Sequence, residues 1–297
     1  MFANAIDPLS LGGGARSIAM GRTGVAAAGK LEAIVANPAN AAAIKNKSLT
    51  TMQTKIAEDV NYNLFSGAAP TRFGNIGISY LTSSVSDIKT TTRDSNNRII
   101  EASSFNYSNS VIALTNSKII NEKTAIGGTF KLFNRSMGAS GEASGYDLDL
   151  GVHHQIREDL EIGLVAQNLL PSPISHLTWN NGTKEDLLLN LKFGLNYKPK
   201  EDFSVLLDII YPADTSPQLR GGGEYVHNQG LAVRGGFESI PIGINNGYAT
   251  NLTFGIGLSR AGFSFDYAYF IDQVLYANTT HYFSLTIQAQ PLSYSHE

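Results

Sequence analysis

Arg220, Glu224, Arg234 and Asp266 are the residues whose types and spacing most invite chemistry. On an extended chain, residues an even number apart share a face, so Arg220 and Glu224 point the same way. If that face is enclosed, each charge must find a partner. The expected outcome is an ion network holding parts of the chain together. The alternative is a ligand-headgroup site, in which Arg234 would take a carboxylate with its planar fork. The six histidines give no metal pattern. His153 and His154 are adjacent and would point to opposite faces of a strand. His154 and His281 could face outward, but nothing nearby marks a nucleophile. Cysteine is absent, which removes disulfides, thiolate metal sites and cysteine nucleophiles. No enzyme, metal or cofactor is expected. The net charge of -3 and the lack of a Lys/Arg cluster give nothing suited to nucleic acid.

The elements that must position these residues fall into two regimes. Residues 6–47 are rich in Gly and Ala and show no alternation. Gly12-Gly13-Gly14 before Ala15-Arg16 could form an anion-binding nest, but it follows no strand and opens no convincing helix, so a turn is expected. From Leu31 to Ile44 the chain is small and apolar, and Asn37-Pro38 interrupts any helix near its middle. Ala3-Asn4-Ala5 has the small-x-small form of a signal-peptidase site, so residues 1–5 read either as a leader remnant or as an ordinary start.

From Ser48 onward the period is two. Leu187, Leu189, Leu191, Phe193, Leu195 and Tyr197 share one face, and Phe263, Phe265, Tyr267 and Tyr269 another. Such alternation is a strand signal. Strands are expected at 48–57, 61–68, 73–92, 98–115, 123–136, 145–156, 160–168, 186–198, 203–211, 218–227, 231–237, 249–259, 262–270 and 280–288. Their connections alternate between long (137–144, 169–185, 238–248, 271–279) and short (157–159, 199–202, 228–230, 260–261). Membrane barrels sort their loops this way, with an even strand count. Charged residues are only 16% of the chain, while soluble proteins carry roughly 25%. Mean hydropathy is -0.08, and no apolar run could cross a membrane as a helix.

Alternation does not say which face is wet. Bulky Leu, Phe and Tyr on one face, Gly, Ser and Asn on the other, and aromatics such as Tyr146, Tyr197, Tyr211, Phe237 and Tyr282 near strand ends favour apolar residues outward. The inward set then includes Lys131, Asp147, Asp149, Lys192 and Asp208, with Arg220, Glu224, Arg234 and Asp266 on the tenth, eleventh and thirteenth strands. The fold class is all-β, a transmembrane antiparallel barrel of about 14 strands over 48–288. Residues 1–47 form a separate N-terminal segment and 289–297 a tail. Outer-membrane lipid is the expected surroundings, a soluble β-protein the alternative.

Several stretches resemble the superfamily of FadL-like outer-membrane proteins, the long-chain fatty-acid porins, and more closely its PorV/PorQ-like branch. Gly14-Ala15-Arg16-Ser17-Ile18-Ala19-Met20-Gly21 and Asn37-Pro38-Ala39 resemble the family's opening. Residues 162–169, the hairpin 222–237, and Thr253-Phe254-Gly255-Ile256-Gly257 with Asp266-Tyr267-Ala268-Tyr269 resemble later strands. Lys30-Leu31-Glu32-Ala33 stands where the family has an acidic pair, and Ala36 where it has an aromatic residue. The resemblance implies an N-terminal plug in the lumen, with Gly14, Arg16, Asn37, Pro38 and Ala39 among its residues. Asn37-Pro38-Ala39 would then anchor that plug to the wall, or simply end a helix. For fatty-acid porins the resemblance implies passage of hydrophobic or amphipathic small molecules through the barrel and out sideways. For the PorV branch it implies a structural or type IX secretion role with a protein partner at the external loops, where the 169–185 loop with Trp179 is the expected contact.

Overall fold

The computed structural model describes residues 7–56, 59–138, 141–172, 174–242, 247–273 and 278–289. The leader remnant expected at 1–5 and most of the expected tail lie outside them. The described strands are β1 (Ser48–Ile56), β2 (Val60–Thr71), β3 (Gly74–Arg93), β4 (Ile99–Asn121), β5 (Thr124–Ser136), β6 (Glu142–Arg157), β7 (Leu160–Gln167), β8 (His176–Trp179), β9 (Lys184–Asp186), β10 (Asn190–Lys200), β11 (Phe203–Pro212), β12 (Gln218–Val226), β13 (Leu231–Ile242), β14 (Gly247–Arg260), β15 (Phe263–Asp272) and β16 (Asn278–Gln288). Every pairing between them is antiparallel. Fourteen strands, all but β8 and β9, form a ring that closes where β1 meets β16, Ser48 opposite Gln288.

Closure leaves the ring no free edge, the condition for a sheet to sit in lipid. The pleat sorts side chains by face. Leu150, Phe254 and Phe265 are 50% or more exposed, whereas Asp147, Lys131 and Asp208 are at most 1% exposed. A water-facing surface does not carry so continuous an apolar belt. Large apolar residues therefore point outward and charges point inward. The turn between β14 and β15 is tight: Ala261 and Gly262 both have positive φ, the two-residue geometry whose twist matches antiparallel strands.

The strands outrun the sequence reading in three places. β4 runs past the expected 115 to Asn121, its last residues pairing with the start of β5. β13 continues past Phe237 to Ile242, because Glu238 to Ile242 pair with β14 even though Pro241 interrupts the pattern. The 169–185 stretch, expected as a plain loop, contains the β8–β9 hairpin. β7 ends at Gln167, which leaves the upper edge of β6 without a partner. β8 takes that edge, with Ala143 opposite Trp179 and Ser144 opposite Thr178.

Residues 7–47 lie within the ring. They contain α1 (Ala15–Ala19) and two 3-10 helices, Leu31–Ile34 and Pro38–Ala43. One local expectation is corrected here: Gly14 does open a helix, though one of only five residues. Asn37-Pro38 interrupts the helical stretch as expected, standing between the two 3-10 helices and starting the second. Asn37 is the N-cap, its side chain accepting from the Ala39 amide at 3.0 Å, and Pro38 occupies the first turn, where its missing N–H costs nothing.

Candidate functional site

The interior is built by the N-terminal segment meeting the inward faces of the wall. Close approach is possible because the wall is glycine-lined where the segment passes. A Cβ on Gly163 would sit 2.2 Å from the Val25 carbonyl oxygen, and one on Gly236 would sit 2.4 Å from the Gly21 nitrogen. Gly127, Gly151 and Gly222 stand equally close to Pro38, Asn37 and Met20. The small inward residues that looked too small to fill a dry interior are small because backbone fills the space.

Polar contacts lock the same surfaces. Asn37 donates from Nδ2 to the Val25 carbonyl at 2.8 Å within the segment and to the Val152 carbonyl of β6 at 3.1 Å. The Gly24 and Val25 amides donate to Asp208 of β11 at 2.7 and 3.1 Å. Thr253 of β14 donates to the Ala19 carbonyl and accepts from the Gly21 amide, both at 3.0 Å. Asn37→Ala would orphan these buried backbone groups and should cost about 1–3 kcal/mol. Pro38→Ala removes no hydrogen bond and should cost less. Midpoints of the heat-induced gel-mobility shift compare the two, and equal midpoints would dismiss the bonding role of Asn37.

Three of the four residues singled out from the sequence come together. Arg234 donates from Nε to Glu224 at 2.6 Å and from Nη1 to Asp266 at 2.8 Å. Arg16 of the segment grips the same Glu224 with Nε and Nη2 at 2.8 and 2.6 Å, and reaches Glu32 with Nη1 at 2.9 Å. Burial alone would lower the Arg16 pKa, but Glu224 and Glu32 outweigh it and hold the group above its ordinary value, so Arg16 stays charged. The fourth residue, Arg220, stands apart. Its Nε lies 3.7 Å from Glu238 of β13, which also takes a 2.8 Å bond from Arg22 and a 3.0 Å bond from Asn251. Arg234 therefore has its fork occupied by protein carboxylates, leaving it poorly placed for a ligand's carboxylate.

A third cluster lies across the lumen. Lys131 of β5 pairs with Asp149 of β6 at 2.6 Å and also bonds Asn168. Asp147 takes the Ser175 hydroxyl. Lys192 of β10 faces the same interior, half-buried, and no ion pair engages it among the described residues. The sequence placed Lys192 inward but gave no reason to single it out, since its freedom depends on which neighbours pair with each other.

An apolar patch lies on β1–β3 and β15–β16. Met52, Tyr62, Leu64, Leu81, Phe270 and Tyr282 pack with Leu11, Ala15 and Ile18 of the segment, between buried hydroxyl residues such as Thr50, Ser66 and Ser79, and Arg22 lies 4.4 Å from the Phe270 ring. Tyr282, expected among the outward aromatics, is thus inward, in register with Ala268 of β15. Val111 and Phe133 continue this surface toward the loops, with Leu9, Leu177 and Trp179 against it. Trp179 packs at this edge of the cluster and stays partly exposed.

Solved structures share this architecture. The Pseudomonas putida toluene transporter TodX superposes with a TM-score of 0.66 at 14% identity, covering 93% of this chain and 97% of that one. The Ralstonia pickettii toluene transporter TbuX gives 0.62 at 13% identity over 94% and 99%. A Pseudomonas aeruginosa FadL homologue gives 0.63 at 10% identity over 93% and 98%. At these identities the likeness is one of fold. No protein-family model matches the chain, and no curated protein matches its sequence.

Proposed function

We propose that the chain is an outer-membrane channel of FadL-like type for hydrophobic or amphipathic small molecules, with residues 7–47 as its plug. The carrying observation is the two-sided interior. A pore for polar solutes is lined with polar groups, but here Tyr62, Leu64, Leu81 and Phe270 face inward and are buried against the plug's own Leu11 and Ile18. Ligand sites of this class are mostly apolar with a few placed polar groups. The plug's Leu11 and Ile18 hold the place a greasy molecule would take, and Lys192 is a wall cation, free of ion pairs among the described residues, for an acidic head. The known structures of like fold include named toluene transporters, in keeping with this reading.

The test is uptake. Cells expressing the chain should accumulate labelled toluene and labelled decanoate faster than cells with an empty vector. Lys192→Ala should slow decanoate and leave toluene unchanged. Uptake of both probes at the empty-vector rate, with the barrel verified in the outer membrane, would remove the transport reading.

A further inference from the structure

The outer wall carries a dent that the transport reading does not use. On β1, β2 and β3 the outward residues Leu49, Gly67 and Ile78 stand opposite one another in register, and the outward row above them is Thr51, Phe65 and Tyr80. Gly67 brings no side chain to this row of bulky neighbours. A groove of about 420 Å³ opens there, walled by Leu49, Phe65, Ile78, Tyr80, Leu285 and Ile287.

Cations stand at one end of the groove. Lys47 comes just before β1, two residues from Leu49 and on the same face. Arg72 occupies the β2–β3 turn, and Lys118 lies outward on β4 beside Ile126 of β5. All three are exposed, and no ion pair engages them among the described residues; Arg72 only lies over the Phe73 ring at 4.5 Å. Three strand spacings put Lys47 and Lys118 about 14 Å apart, a gap their long side chains narrow and Arg72 stands within. Residues 45–47, 71–74 and 118–124 hold Lys45, Lys47, Arg72, Lys118 and Lys123 against Glu122 alone. The turns here are two residues long, which marks the periplasmic end.

The other end of the groove is different. The next outward rows toward the loops are Gln53, Asn63 and Thr82, then Lys55, Asn61 and Ser84. Asp59 stands in the adjoining β1–β2 connection, and outward His281 bonds the Tyr267 hydroxyl at 2.8 Å.

We propose that this face seats one anionic phospholipid of the periplasmic leaflet, an acyl chain in the Gly67 groove and the phosphate among Lys47, Arg72 and Lys118. The groove is continuous with the lipid-facing belt, so the occupant comes from the membrane. Charge then sets the headgroup and the leaflet. Three unpaired cations stand at the periplasmic end and one at the other. A guanidinium takes phosphate oxygens with its fork, and the two ammoniums add point charges. A zwitterionic headgroup carries its own cation, which these side chains repel. The inference rests on the outer-membrane placement above but not on transport.

The experiment uses the full chain in vesicles holding equal amounts of phosphatidylcholine and phosphatidylglycerol with the same acyl chains. Native mass spectrometry then reads the lipid retained on the released barrel. Phosphatidylglycerol should be kept with a roughly tenfold preference, the size that one or two cations give at an anionic surface. Lys47→Gln with Lys118→Gln should abolish the preference, and Lys55→Gln, at the far end of the groove, should not. Gly67→Leu fills the groove and should lose the retained lipid of either kind. Heat-modifiable mobility shows that each variant is folded. Equal retention of the two lipids by the unaltered chain overturns the proposal, as does retention that Gly67→Leu leaves unchanged. A preference that survives Lys47→Gln with Lys118→Gln but falls with Lys55→Gln overturns it by moving the phosphate to the other leaflet. A barrel that never enters the vesicles overturns the membrane placement as well. One that enters and keeps no lipid overturns this site alone and leaves toluene uptake untouched.

Discussion

Glu224→Gln should unseat the N-terminal segment while leaving the barrel closed. Glu224 accepts three hydrogen bonds from two guanidiniums, two from Arg16 and one from Arg234. Without its charge, Arg16 retains only Glu32 and Arg234 only Asp266, and two like charges face each other in an enclosed space. Breaking one partner out of a buried ion network costs about 3–5 kcal/mol. That cost falls on the junction between segment and wall, because the wall strands keep both their ladders. Three readouts should move together: protease cleavage within residues 7–47, ion conductance in planar bilayers, and the lower-temperature step of melting. Asp266→Asn leaves Arg16 fully engaged with Glu224 and Glu32 and should show a smaller effect in each. If Glu224→Gln behaves as wild type, packing alone holds the segment and the network is incidental.

The wall was legible in the sequence because lipid and lumen impose opposite demands on alternate residues. Leu191 to Tyr197 and Phe263 to Tyr269 show that contrast without help from anything distant, whereas Leu187 to Leu189, expected to begin the same strand, precede β10, and Leu187 packs against the Val111, Phe133 and Leu177 cluster. All fourteen ring strands follow from it. The ion network was half legible. In the β12–β13 hairpin, Glu224 faces Arg234 and Arg220 faces Glu238, because both pairs lie equally far from the turn on either side. Ending the eleventh strand at Phe237 left Glu238 out, so Arg220 was grouped with the wrong partners. At about 3.3 Å per residue, four positions separate it from Glu224 by some 13 Å of strand, too far to share a carboxylate. Arg16 was marked only by resemblance, since nothing local says that a residue at the start of the chain will reach the twelfth strand. The β8–β9 hairpin was illegible for another reason: four residues from His176 to Trp179 carry too little alternation, and what makes them a strand is the vacant edge of β6.

Gly163→Leu and Gly236→Leu should act on the same junction, through volume in place of charge. At Gly163 the atoms a side chain would meet are the Val25 carbonyl oxygen at 2.2 Å and carbon at 2.7 Å. At Gly236 they include the Gly21 nitrogen and Met20 carbonyl carbon, both at 2.4 Å. Backbone cannot swing aside as a flexible side-chain end can, so either the segment leaves or the strand bends. Overpacking of this kind typically costs about 1–3 kcal/mol and occasionally more. The segment should be the part that yields. Gly163 lies on β7, which is paired on both sides with β6 and β10, whereas the segment is held by its ion pairs, a few side-chain bonds and packing. Gly223→Leu, whose nearest neighbour would be the Ser204 carbonyl oxygen at 3.7 Å, is the control and should leave protease resistance and conductance near wild type. Failure of Gly163→Leu to assemble any heat-modifiable barrel would show instead that the wall folds around the segment. If the segment does leave, toluene uptake tells what it was for. Faster uptake means that it obstructs the path. Uptake lost while ion conductance rises means that Leu11 and Ile18 are part of the path, because a greasy molecule then has a wet pore to cross and no apolar surface to follow.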